Sequence, residues 1–166
     1  MEVLYRTAHI ANVFTGIADP KEYETTALAE VMFYTEFPVA ENFIVNSQYP
    51  LAPGPTLRCD HAIRYLESGT ARICIFDINE AKRTRTNQAF SLKALERQAR
   101  DYCKIYLESE QDIPFVYAST MAGAHIRLWR YSRDQPELVP FWSSNSIGDW
   151  GEYKDIGDNQ AGEIIE

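Results

Sequence analysis

The segment Ala71–Lys82, ARICIFDINEAK, constrains the fold more than any other part of the chain. It is short, rich in β-branched and aromatic residues, almost continuously apolar, and it ends in charge. That is how a central strand covered on both faces reads. The covering layers must come from the rest of the chain, and helical periodicity on either side of this segment supplies them.

Before it, Asp19-Pro20 caps and starts a helix over Lys21–Glu36, with Tyr23, Leu28, Val31, Met32 and Phe33 on its apolar side. Glu41–Tyr49 reads as a first strand, Leu51-Ala-Pro-Gly-Pro55 as a loop, and Thr56–Glu67 as a second strand closed by Ser68-Gly69-Thr70. After it, Ser91 caps a helix over Leu92–Glu108, in which Leu92, Leu95, Ala99, Tyr102 and Tyr106 recur on one face. Ile113–Ser119 and His125–Tyr131 are two more strands joined by a hairpin at Thr120–Ala124. The expected fold is α/β, an α+β sandwich with a central mixed sheet of about five strands flanked by helices, in the order αβββαββ. One domain over 1–166 is expected, with its core at about 20–131. Residues 132–166 read as an irregular extension ending in the start of a further helix, as in a fragment of a longer protein.

Composition excludes several classes. With 45% hydrophobic residues and 13% aromatics the chain folds. No window approaches eighteen apolar residues, and the N-terminus lacks a basic-then-apolar leader, so neither membrane spanning nor secretion is expected. Cys59, Cys74 and Cys103 are odd in number, far apart and set in apolar segments, which suits reduced buried thiols in an intracellular compartment. The net charge of −8 is unevenly spread. Residues 57–133 carry thirteen basic against nine acidic side chains, and Lys82, Arg83, Arg85, Lys93, Arg97, Arg100 and Lys104 crowd one stretch. A positive face from Lys82 to Lys104 that meets nucleic acid is therefore expected inside an acidic molecule, although solvated helix-surface charge reads the same way.

Residues two apart share a strand face, so Glu80 and Lys82 project together, on the side of Cys74, Phe76 and Ile78. A carboxylate and an ammonium at the polar end of an apolar face suit metal-assisted hydrolysis, one holding the cation and the other attending the attacking water. Asp60, on the preceding strand, is the natural second ligand. A hairpin turning at Ser68-Gly69 brings it near residues 77–79, within reach of Glu80 if a bulge or twist helps. Asp77 competes by index but alternates to the opposite face.

An acid, a short hairpin and an apolar strand ending in Glu80-Ala81-Lys82 resemble the signature of the PD-(D/E)XK, or restriction-endonuclease-like, nuclease superfamily. Gln98 and Tyr102 in ERQARDY match the helix that follows it there, and ASTMAGAHIRLWRY (118–131) is similar to the last core hairpin of fungal nuclease-like domains of this group. The resemblance spans roughly residues 20–131 and implies a nuclease, with DNA ahead of RNA as substrate. It implies Asp60, Glu80 and the Ala81 carbonyl as ligands of Mg²⁺ or Mn²⁺, Lys82 beside the water, Gln98 holding the water, Lys82 or a phosphate oxygen, and a further acid from the first helix, Glu24 or Glu30, with Glu24 favoured. Cys59 stands where the name-giving Pro would be, and the acidic flanks depart from a DNA-cutting norm. A fold kept only for binding protein or nucleic acid within a larger protein is the alternative. The sequence leaves the oligomeric state open, a dimer included. His61 and His125 read as strand residues, and Trp129, Tyr131 and Phe141 as packing aromatics.

Overall fold

The computed structural model describes residues 22–52, 57–82, 91–142 and 144–156, with the backbone alone for residues 22–24. Within them lie helix α1 (Glu22–Glu36), strands β1 (Phe43–Pro50), β2 (Arg58–Leu66) and β3 (Ile73–Lys82), helix α2 (Leu92–Ser109), and strands β4 (Phe115–Ala122), β5 (His125–Ser132), β6 (Val139–Pro140) and β7 (Lys154–Asp155). The strands form one mixed α/β sheet in the order β1-β2-β3-β4-β5-β6, with β7 also paired to β5. Only β3 and β4, joined through α2, run parallel. A parallel pair needs a long crossover, and α2 provides it. No helix among the described residues is long and apolar enough to cross a membrane.

The central strand stands where its composition puts it. Residues 74–75 and 77–81 of β3 are buried, and β2 and β4 flank it. The helices cover opposite faces. Ala99, Cys103, Tyr106 and Leu107 of α2 pack with Cys59, Ala62, Ile75, Ile78, Val116 and Trp129. Leu28, Ala29, Met32 and Phe33 of α1 pack with Val45, Ile63, Ala81, Met121 and Ile126. Each Val, Leu, Ile, Met or Phe side chain among these that is fully withdrawn from water contributes about 1.5–3 kcal/mol. Cys59, Cys74 and Cys103 are buried free thiols, and Trp129 and Tyr131 are core residues, whereas Phe141 is 51% exposed. The Ser91 hydroxyl accepts from Ala94 N–H at 3.2 Å and caps α2.

Three expectations need correction. The sheet has seven strands among the described residues, not about five. The two additional ones, of two residues each, come from the stretch read as irregular, where they are too short to leave a periodic signal. Strand β3 does not alternate evenly: the register with β2 shifts between Ile63 and Arg64, leaving Phe76 as an extra residue. Ile75 therefore shares the α2 face with Ile78, while Phe76 packs against the α1 cluster. The hairpin also closes later than Ser68-Gly69. Glu67 N–H donates to Arg72 O, with Gly69 (φ 88°) and Ala71 (φ 55°) making the left-handed turns in between. The expected cap at Asp19-Pro20 and the further helix near 158–166 lie outside the described residues.

The segment after β6 is pinned across α2. Arg127 and Glu96, both fully buried, meet at 3.4 Å. Arg127 donates to the carbonyls of Ser144 and Ser146 at 2.8 and 2.7 Å, and Glu96 accepts from Gly148 N–H and Tyr153 O–H. Tyr153 continues to Thr120, and Thr120 accepts from the Trp129 indole at 2.9 Å, so each hydroxyl donates once and accepts once. Gly148 has φ 75°, and an added Cβ would collide with the Lys93 side chain at Cγ. Gly148→Ala is expected to lower stability by about 1–2 kcal/mol in urea unfolding, from the left-handed backbone together with the displaced lysine. An unchanged midpoint would show that this loop does not contribute to the cooperative unit.

Candidate active site

The corrected register brings the two acids of the proposed centre together. His61↔Asn79, Ala62↔Ile78 and Ile63↔Asp77 are paired, and the same register continued one step past the last of these pairs sets Asp60 against Glu80. The offset combines the later turn with the extra residue at Phe76. The ladder ends there: Ala81 N–H donates at 2.9 Å to the Asp60 carboxylate, Oδ2, where a backbone carbonyl would otherwise serve. The same oxygen is 4.0 Å from Lys82 Nζ. Oδ1 of Asp60 accepts from Gln48 Nε2 at 3.2 Å. Gln48 reaches it from a left-handed backbone (φ 51°), between the pairs Ser47↔His61 and Tyr49↔Cys59 of an unshifted β1–β2 register.

Glu80 is 1% exposed and faces α2, while the Lys82 side chain is 30% exposed at the strand end. Gln98 Nε2 donates to Tyr102 Oη at 3.1 Å, so the pair read from ERQARDY is formed. Burial raises the Tyr102 phenol above its usual range, with Glu80 and Asp60 adding to the rise, which places the tyrosine within electrostatic range of both acids. Burial, then Glu80 and then Asp60 likewise push the Cys59 thiol far up, so it is an inert, protonated neighbour. Lys82 thus stands beside Asp60 at the end of the β2–β3 ladder, and the Gln98–Tyr102 pair lies on α2, the helix that packs on this part of the sheet.

The other proposed residues fare differently. The Glu24 side chain lies outside the described residues, as do Arg83 and Arg85. Glu30 is not brought to this centre. It accepts from Ser47 at 2.9 Å on the α1 side, because its helix packs on the opposite face. Of the basic stretch, Lys93 and Arg97 are exposed, Arg100 pairs with Asp101 and Glu137, and Lys104 lies 3.9 Å from Glu108. Asp60 and Glu80 with the Ala81 carbonyl form an all-oxygen set of the kind Mg²⁺ or Mn²⁺ takes, and Mg²⁺ commonly rests on one or two carboxylates. No group of three or more Asp, Glu, His or Cys side chains suited to a metal is present among the described residues.

A second polar cluster was not legible in the sequence. Ser119 Oγ donates to Asp77 Oδ2 at 2.7 Å, Asn79 Nδ2 donates to Ser119 Oγ at 3.0 Å, and Asn79 Oδ1 meets His61 Nδ1 at 3.1 Å. The direction of this chain puts the imidazole proton on Nδ1, with Nε2 buried and lacking a hydrogen-bond partner among the described residues. Burial lowers the His61 pKa from its usual value and raises that of the Asp77 carboxyl to about 7. The hint in the sequence was Asp77 itself, a charge inside an apolar run. Nothing local named Ser119, 42 residues away, as its partner. No family model, curated protein or solved structure matches the chain.

Proposed function

We propose that the chain is a divalent-metal-dependent phosphodiesterase acting on nucleic acid, DNA ahead of RNA, on a restriction-endonuclease-like core of the PD-(D/E)XK type. The observation that carries this reading is Asp60 at the end of the β2–β3 ladder, accepting from Ala81 N–H at 2.9 Å with Lys82 Nζ 4.0 Å away, in a register that sets Glu80 across from it. Asp60, Glu80 and the Ala81 carbonyl would hold the cation. Once bound, Mg²⁺ or Mn²⁺ polarises the phosphate and lowers the pKa of a bound water. Lys82 orients the attacking water and offsets charge gathering on the phosphate oxygens. Gln98, steadied by Tyr102, holds the water, Lys82 or a phosphate oxygen. Lys93 and Arg97, exposed on α2, supply contacts to the nucleic-acid backbone.

The test is cleavage of plasmid DNA, single-stranded DNA and RNA with Mg²⁺, Mn²⁺ or chelator, by the wild type and by Glu80→Gln, Lys82→Met and Asp60→Asn. Metal-dependent cleavage is expected, lowered about a hundredfold or more in each variant. Asp60→Asn retains an oxygen acceptor for Ala81 N–H, so its loss would report charge rather than fold. Wild-type protein that cuts none of these substrates with either metal sinks the reading.

A second reading, a catalytically silent fold that binds protein or nucleic acid, is favoured by the use already made of Asp60. Its two oxygens receive Ala81 N–H and Gln48, with Lys82 nearby. Nucleic-acid binding that survives in a Glu80→Gln/Lys82→Met double variant, without cleavage by the wild type, would favour it.

A further inference from the structure

The face of the sheet turned away from the proposed centre holds a cavity of about 300 Å³ between α1, strands β2–β5 and Phe141. Aromatic rings line it in an unbroken series: Phe37 is 5.7 Å from Phe76, Phe76 is 5.0 Å from Tyr117, and Tyr117 is 5.4 Å from Phe141, centroid to centroid. Asp77 and Ser119 are its polar floor, and Glu36 adds a second carboxyl. No Lys, Arg or His lines it among the described residues. Ser119 Oγ is the donor that reaches the Asp77 carboxyl among the described residues, and it reaches Oδ2.

We propose that this cavity is a binding site for a small organic cation, an ammonium group on an apolar or aromatic body of about ten non-hydrogen atoms, with Asp77 as its counter-ion. The size follows from the volume, since liquid water occupies about 30 Å³ per molecule and a comparable number of heavy atoms fills the space. The sign follows from the lining. The Asp77 carboxyl at the floor favours a cation, and aromatic rings within about 6 Å add quadrupole attraction to it. An apolar pocket with a few convergent polar groups is also the usual form of a small-molecule site. Burial holds the Asp77 carboxyl near neutral pKa, so an incoming ammonium converts it to the carboxylate at little cost. A neutral guest of the same shape gains the aromatic contacts but not the ion pair.

The test uses 2-phenylethylammonium and its uncharged analogue 2-phenylethanol, titrated calorimetrically into the full chain at pH 7. The ammonium is expected to bind at least tenfold more tightly than the alcohol, and Asp77→Asn to abolish that preference. Leu128→Trp, which fills the cavity from β5, is expected to abolish binding of both. Circular dichroism and thermal melting establish that each variant is folded. Equal affinity for the two probes overturns the proposal, as does undiminished ammonium binding by Asp77→Asn or no saturable binding by the wild type. None of these readouts depends on nuclease activity.

Discussion

Arg127→Met is expected to lower the free energy of unfolding by about 3–5 kcal/mol, because it leaves Glu96 buried without its countercharge. Both side chains are fully buried and 3.4 Å apart. Burial already raises the Glu96 pKa, with Gly148 N–H and then Arg127 acting against the rise. Removing the guanidinium takes away one of those opposing influences, so the carboxyl of the variant binds its proton more tightly in the folded state. A raised folded pKa makes stability fall as pH rises from the unfolded value toward the folded one. The loss should therefore be larger at pH 8 than at pH 5. Arg127 also holds the carbonyls of Ser144 and Ser146, so the loop 144–153 should lose hydrogen-exchange protection together with the global midpoint. Arg127→Met/Glu96→Leu should recover only the part of the loss due to the stranded charge, since the Ser144 and Ser146 carbonyls, Gly148 N–H and Tyr153 O–H still lose their partners. A cost below 1 kcal/mol in urea unfolding of the single variant would show that the pair does not anchor this loop.

Asp77→Asn is expected to stabilise the protein at pH 8 by about 4 kcal/mol and to change little near pH 4. The carboxyl moves from an ordinary 3.8 to about 7 on folding, with burial the larger cause and the Ser119 hydrogen bond opposing it. The folded state thus holds a proton that the unfolded chain releases. Stability falls with rising pH between about 4 and about 7, by about 1.4 kcal/mol for each pH step. Above pH 7 the full cost is present, and asparagine, which keeps an acceptor for Ser119, does not carry it. His61 works in the opposite sense. Its folded pKa is depressed by burial, so its contribution is lost as pH falls below 6.5. The two therefore oppose each other just below pH 6.5, where the wild type should show a shallower dependence than between pH 6.5 and 7. Asp77→Asn should expose the histidine alone, with stability rising as pH approaches 6.5 from below. If urea midpoints of wild type and variant run parallel from pH 4 to 8, Asp77 does not carry a buried ionisation cost.

These expectations divide along what is local and what is not. The apolar run of β3, the Ser91 cap and the 3.6-residue recurrence along α2 were legible because each is written within a few neighbouring residues. Gln98 and Tyr102 were legible as a pair for the same reason: four apart on a helix, they share a face. The proximity of Asp60 to Glu80 was only half legible. Alternation says which residues share a face, but the offset between strands depends on a turn two residues long or four and on one extra residue at Phe76. A shift of one position exchanges the faces.

Buried charge was the part that only tertiary structure decided. Glu96 sits beside Leu95 on a helix and Arg127 in an alternating strand, and each reads locally as solvated surface. Yet they are 31 residues apart in sequence and meet in the interior. Asp77 looked like a rival to Asp60 by index and proved to face the other helix, joined to Ser119 on the parallel strand. Short-range sequence signals determined the order and kind of the longer elements from sequence alone, and missed the two-residue strands β6 and β7. Register and the pairing of distant polar groups are set by the free energy of closing the whole sheet between two helices, which no segment of the chain contains by itself.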